Sequence, residues 1–325
     1  MYSTKDLYLF TLRRWLSVDR RHWRTAMPQE RGTLASSDRS ATQYRTNRQI
    51  YIHYWRNGMK CGFIGLGDQG GAMATMMLRA GLPLTVWTRR PEAAAPFVSE
   101  GAKVAKNPSA LAAQCDLLSL CVTDGDAVRQ IVHDMGVLRA LRPGAVLAIH
   151  STVLPSLSEE IAAEALPLGV EVLDAPVSGS SRAALNGTLL VMVGGSTTAL
   201  DKARPAFETY ADPILHVGKP GTAMRAKLIN NLVWAANLGA AVRSLNAAGD
   251  AGLDHDGVRR VLLSGTGRSA ALEFTNALTS SRAHHAAPLV LKDMVLAREA
   301  LASEELLPLF DLADGAISWM EGLTD

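Results

Sequence analysis

The chain has 325 residues, enough for two domains with hydrophobic cores of their own. An apolar share of 48%, a charged share of 20% and a net charge of +2 describe an ordinary globular protein and exclude a strongly acidic or basic partner for the molecule as a whole. The three cysteines, Cys61, Cys115 and Cys121, form no CxxC pair, so a disulfide-framed secreted module is excluded and buried thiols in a reducing, cytoplasmic setting are expected.

The chain opens on a segment unlike the rest. Residues 1–58 carry eleven Lys/Arg against four Asp/Glu, a balance of +7 that leaves about −5 for the remainder. They also hold five of the six tyrosines and three of the six tryptophans. No apolar h-region with a small-residue cleavage site is present in this segment, so a secretory signal is not expected. The expectation is a dispensable, disordered extension upstream of Met59, where "MKCGFIGLG" is a natural domain start. A transit peptide and a basic nucleic-acid arm are the alternatives. The remainder, at −5, is no nucleic-acid binder, and no apolar run reaches the ~20 residues that span a bilayer.

From Lys60, "KCGFIGLGDQGGAMATMMLRAG" reads as a short apolar strand, a turn Gly65-x-Gly67-x-x-Gly70, and an apolar-periodic helix closed by Gly81. Gly65 suits the tight turn, Gly67 lets backbone approach a pyrophosphate, and Gly70 lets helix and strand pack closely. The helix N-terminus adds N–H donors and the positive end of its dipole. A second strand, "LTVW", follows, and its tip is where the adenosine ribose is read. It offers Thr88-Arg89-Arg90 and no acid, which favours NADP over NAD, with Glu92 just beyond the turn.

The alternation continues with "DLLSLCV" as strand, "DGDAVRQIV" as helix and "AVLAIHSTV" as strand. "PSLSEEIAAEA" is a helix with Pro at its entry, and "VEVLDAPVSG" and "TLLVMVGG" are further strands; after "ADPILHVG" the pattern changes. This predicts an α/β fold, a Rossmann-type doubly wound parallel sheet over 59–219. From 220 to 325 nearly everything reads helical, so an all-helical C-terminal domain follows. A cofactor on one domain facing a reactive group from the other predicts an interdomain cleft.

The helical domain opens on "MRAKLINNLVWAANLGAAV", apolar almost all round, with no charge between Lys227 and Arg243. Lys227 and Asn231 are four apart and share a face. Taken alone, Lys227 reads as a lysine snorkelling from a helix end. A helix this apolar exceeds what one small domain covers, which predicts a homodimer or homotetramer. His284 and His285 are adjacent, share no face, and are expected to be exposed loop residues; no metal site is predicted.

Four ordered motifs give the chain a family likeness from about Lys60 to its C-terminus. "GFIGLGDQGGAM", "DAPVSGSSRAALNGTLLVMVGG", "AKLINN" and "LKDMVLA" together resemble the β-hydroxyacid dehydrogenase family. That family includes 3-hydroxyisobutyrate dehydrogenases and tartronate- and succinate-semialdehyde reductases, with a C-terminal domain like that of 6-phosphogluconate dehydrogenase. The resemblance implies an NAD(P)-dependent oxidoreductase acting on a small carboxylate. It implies Lys227 as catalytic acid/base with Asn231 as its companion. It implies Ser178, Gly179 and Asn231 at the substrate, and Gly65, Leu66, Gly67, Asp68, Gln69, Gly70, Thr88, Arg89, Arg90, Val122, Thr152 and Lys292 at the cofactor, with Asp293 beside the cleft.

The chain departs from the pattern at Ser180, Ala183 and Gln69, positions where the family commonly has Gly, Gly and Met, and it lacks the usual aromatic run before Lys292. These departures leave the fold intact and bear on the substrate. Two other functions fit parts of the sequence: an imine reductase-like enzyme, whose relatives usually carry Asp or Tyr at the lysine position, and a non-catalytic dinucleotide sensor.

Overall fold

A computed structural model describes residues 58–275 and 279–323, all within one compact unit of the chain. The N-terminal extension, Gly58 apart, lies outside the described residues. Strands β1 (Cys61–Ile64), β2 (Leu84–Trp87), β3 (Lys103–Val104), β4 (Leu117–Leu120), β5 (Val146–Ile149), β6 (Glu171–Asp174), β7 (Val177–Ser178), β8 (Leu189–Gly194) and β9 (Ala211–Gly218) form one sheet. Its order is β3-β2-β1-β4-β5-β6-β8-β7, with β9 on β8. The first six strands in that order are parallel, whereas β8 pairs antiparallel with β6 and β7.

Every residue of β1, β4 and β5 is buried, which is why these strands read as unbroken apolar runs rather than alternating ones. Helices of eight or more residues are α1 (Asp68–Arg79), α2 (Pro155–Ala165), α3 (Thr197–Phe207), α4 (Thr222–Asp250), α5 (His255–Ser264), α6 (Ser280–Leu301) and α7 (Leu307–Glu321). The sheet carries a core on each face, one around Phe63, Met73 and Phe207, the other around Leu118, Leu147 and Ile161.

Three predicted elements differ in detail. "VEVLDAPVSG" is split at Ala175-Pro176, because proline has no N–H to donate to a ladder; β7 restarts beyond it on the other side of β8. "AVLAIHSTV" leaves the sheet after Ile149. "DGDAVRQIV" is a helix over Gly125–Arg129, capped by the Asp124 side chain on the Ala127 N–H at 2.8 Å, and then widens into one π turn over Gln130–Asp134.

Beyond β9 the chain is helical. Helix α4 is the spine, and α6 and α7 pack against it around Leu232, Leu238, Met294, Phe310 and Ile317. Gly239 lets α4 and α7 approach closely: a Cβ there would collide with the backbone carbonyl of Leu312. The two ends of α4 belong to different cores. Met224, in its first turn, is fully buried in the sheet-side cluster, whereas Leu228, Leu232, Ala235, Leu238 and Val242 pack in the helical cluster. Among the described residues no helix is long and apolar enough to cross a membrane.

Candidate active site

Strand order places β1 beside β4, and the connections leave in opposite directions from that point, which opens a crevice at the C-terminal strand ends. The glycine turn lies at this crevice. Gly65 has φ +97°, a left-handed conformation that a side chain strains, and a Cβ there would strike the Cys121 carbonyl. A Cβ on Gly70 would strike the Gly65 carbonyl, so turn and helix lie close.

Gly67 differs: nothing lies within 4 Å of where its Cβ would be. It is the N-cap of α1, with extended backbone and no side chain capping the helix. An open glycine above uncapped helical N–H groups fits a pyrophosphate. Leu66 packs against the core, Asp68 is exposed, and the Gln69 amide nitrogen is buried without a partner.

At the tip of β2, Thr88 is half-buried while Arg89 and Arg90 are exposed and make no ion pair with a described residue. Arg89 borders a cavity of about 490 Å³ shared with Thr123, Asp124, Asp126, Ala127, Arg129, Gln130 and Asp134. Across the crevice the Val122 N–H donates to the Ser151 hydroxyl at 2.8 Å, tying together the loops after β4 and β5 that carry Val122 and Thr152.

The facing wall comes from α4 and α6. Lys227 is only 9% exposed, yet no described residue hydrogen-bonds its ammonium. Burial pushes its pKa down to about 8; the Asp293 carboxylate opposes this and the Lys292 ammonium reinforces it. The Asn231 amide donates to Asp293 Oδ2 at 2.6 Å, and Lys292 Nζ lies 3.2 Å from Asp293 Oδ1. Lys292 also donates to the Thr123 carbonyl at 3.3 Å and the Thr152 carbonyl at 3.2 Å, so one ammonium joins α6 to both cofactor-side loops.

Lys227, Asn231, Lys292 and Thr152 are thus gathered on the two sides of one cleft. Asn231 is engaged with Asp293, and it is its neighbour Asn230 whose amide faces the Ser178 hydroxyl, at 3.4 Å. Gly179 follows Ser178 with φ +126° on an exposed turn. Asn230 carries no signal of its own in the sequence, since it shares its motif with Asn231. His284 and His285 are exposed but sit on α6 rather than in a loop, and His284 lies 3.2 Å from the Glu321 carbonyl. Among the described residues no group of three or more His, Cys, Asp or Glu could hold a metal ion.

A glycine turn at the switch point of a doubly wound sheet, faced by a helical wall, defines a dinucleotide-binding protein with a cleft opposite its cofactor turn. Comparison with known proteins gives the family. Residues 60–218 match the model for the NAD-binding domain of 6-phosphogluconate dehydrogenase, and residues 221–321 match that for the NAD-binding region of NADP-dependent 3-hydroxyisobutyrate dehydrogenase. The NAD-dependent L-serine dehydrogenase of Pseudomonas aeruginosa is 33% identical over 263 residues, 77% of this chain and 88% of that protein. The structure of Mycobacterium tuberculosis 3-hydroxyisobutyrate dehydrogenase with L-serine superposes with a TM-score of 0.72 at 30% identity, covering 81% of this chain and 94% of that one. An imine reductase of Streptomyces aurantiacus, 22% identical with a TM-score of 0.58 over 80% of this chain and 99% of its own, shares the fold. The chain belongs to the β-hydroxyacid dehydrogenase family and is a dehydrogenase/reductase acting on CH–OH groups with NAD(P).

Proposed function

We propose that the protein interconverts a small β-hydroxy acid and its semialdehyde or oxo form, in the manner of 3-hydroxyisobutyrate dehydrogenase, with Lys227 as general acid and base. The observation that carries this is the Lys227 ammonium, nine-tenths buried at the cleft and held near a pKa of about 8. An amine so poised exchanges a proton near neutral pH, which an ordinary lysine at 10.5 does not. Bound nicotinamide supplies or accepts the hydride.

In the reducing direction Lys227 gives its proton to the carbonyl oxygen; in the oxidising direction the neutral amine takes the hydroxyl proton. Asn231, donating to Asp293 Oδ2 at 2.6 Å, holds in place the carboxylate whose charge acts on that amine. Ser178 and the backbone of Gly179 receive the substrate carboxylate, with Asn230 bracing the Ser178 hydroxyl. L-Serine, itself a β-hydroxy acid, is named with two of the relatives and supports this substrate class.

In this reading residues 59–219 hold the cofactor and 220–325 form the wall opposite. Gly65, Leu66, Gly67, Asp68, Gln69 and Gly70 cradle the pyrophosphate; Val122, Thr152 and Lys292 adjoin the nicotinamide half. Thr88, Arg89 and Arg90 take a 2′-phosphate, so NADP is preferred and NAD is the alternative. Exposed Ile229 and Val233 on α4, with Leu291 and Val295 on α6, support a homodimer or homotetramer that covers them, readable by light scattering. Three free cysteines, two of them buried, support a cytoplasmic home.

The test is steady-state turnover of L-serine, 3-hydroxyisobutyrate and short semialdehydes with NADP(H) and NAD(H). Turnover of at least one β-hydroxy acid is expected. Tight NADPH binding with no turnover across the panel overturns the enzymatic reading in favour of a dinucleotide sensor, and reduction of cyclic imines alone favours the imine reductase one.

A further inference from the structure

The motif "DAPVSG" contributes a residue with no place in the chemistry above. Asp174 ends β6 and is completely buried. Its two carboxylate oxygens are divided between two backbone donors of another element: Oδ1 accepts from the Gly221 N–H at 2.9 Å and Oδ2 from the Met224 N–H at 3.0 Å. These are the N-cap and the first turn of α4, a helix that no side chain of its own N-cap residue caps. The sheet therefore caps the helix from 47 and 50 residues away in sequence.

Space has been cleared for this contact. A Cβ on Gly194, the residue paired with Asp174 across β8, would collide with the Asp174 carboxylate. The Met224 side chain, fully buried, anchors the same turn in the sheet-side core. A second tie lies at the surface, where Arg225 donates to Glu159 of α2 at 2.7 Å and to the Gly221 carbonyl at 3.3 Å. Lys227 comes three residues after Met224, and at Leu228 the helix passes into the other core. One helical turn thus separates the clamped backbone from the amine.

We infer that Asp174 is a positioning residue for Lys227: by fixing the first turn of α4 to the end of β6, it sets the distance between the helical wall and the sheet that carries the cofactor. The inference rests on the proposed role of Lys227. A catalytic group displaced by 1 Å can lose on the order of 10²-fold in rate, so a clamp one turn away has kinetic leverage. A cap that served stability alone would have none at temperatures well below unfolding.

The test compares Asp174→Asn, Arg225→Met and Lys227→Ala with the parent protein. Turnover is read with L-serine or 3-hydroxyisobutyrate, whichever the parent oxidises. NADPH affinity comes from fluorescence, and Lys227 reactivity toward acetic anhydride is read by peptide mass spectrometry, with exposed Lys103 as internal reference. Asp174→Asn keeps the volume but sets an NH₂ against an N–H. We expect its kcat to fall by ~10- to 100-fold, with NADPH affinity unchanged and Lys227 acetylation altered relative to Lys103. Arg225→Met, at the surface tie, is expected to show the same pattern more weakly, and it decides the matter if Asp174→Asn does not fold.

Parent-like kcat and parent-like Lys227 acetylation in the folded variants overturn the positioning role, whatever their Tm. A fully active Lys227→Ala instead overturns the acid/base reading on which it rests, and a shifted acetylation in Asp174→Asn would still report the clamp. The two failures are thereby distinguishable.

Discussion

The sheet wall of the cleft presents backbone, and the helical wall presents ionisable side chains. At the glycine turn the shaping contacts are between main-chain atoms, Gly65 against the Cys121 carbonyl and Gly70 against the Gly65 carbonyl, with Gly67 left open. On the opposite side Lys227, Lys292 and Asp293 lie together, with Asn231 tied to the carboxylate. A wall of backbone N–H groups recognises phosphate geometry and does not titrate. A wall of buried side chains has tunable proton affinity, because desolvation and neighbouring charge act directly on it. The division of labour between cofactor holding and proton transfer follows from what each wall exposes.

That contrast can be broken most forcefully at Lys227. Lys227→Ala should lower kcat by ~10²–10⁴-fold, as expected for loss of a general acid/base, while NADPH affinity measured by fluorescence stays close to that of the parent. Equal losses in turnover and cofactor affinity would show the two walls to be one functional unit.

A smaller effect is expected from pH alone. Lys227 is lowered from an ordinary 10.5 to about 8, so the neutral amine is present above about pH 8 in the folded protein. Oxidation, which needs the amine as base, should rise with pH through that midpoint. Reduction, which needs the ammonium as acid, should fall over the same window. Removing the opposing carboxylate with Asp293→Asn should move the midpoint down and removing the neighbouring charge with Lys292→Met should move it up; a midpoint indifferent to both would separate the proton from Lys227.

The smallest effect belongs to the sheet wall. Arg89→Ser should weaken NADPH about 10-fold, the worth of a charge-assisted hydrogen bond, and leave NADH nearly unchanged. Equal changes for the two cofactors would mean that Arg89 does not read the 2′-phosphate.

Much of this was legible in the sequence because it is written in short, local patterns. The run "CGFIGLGDQGGAM" encodes strand, turn and helix within thirteen residues, and its glycines carry their reason with them. The start of α2 at Pro155 and the helical texture beyond 220 are equally local. The break of the sixth strand is written at Pro176, which has no N–H to continue a ladder. The π turn at Gln130–Asp134 and the placement of His284 and His285 on α6 leave no such mark.

Local residue patterns specify the parts: a dinucleotide turn, a helix with a solitary lysine at its head, and the order of motifs that resembles one family. They do not say what surrounds that lysine. Whether an ammonium titrates near 8 or near 10.5 depends on burial and on charges brought from α6, about 65 residues away, and neither is a property of a local segment. The same holds for Asp174, an acid inside an apolar motif until the tertiary structure sets its two oxygens on the first turn of α4. Hydrogen bonds between distant segments were decided by the packing of sheet against helix, and that packing is what makes a lysine into a candidate catalyst.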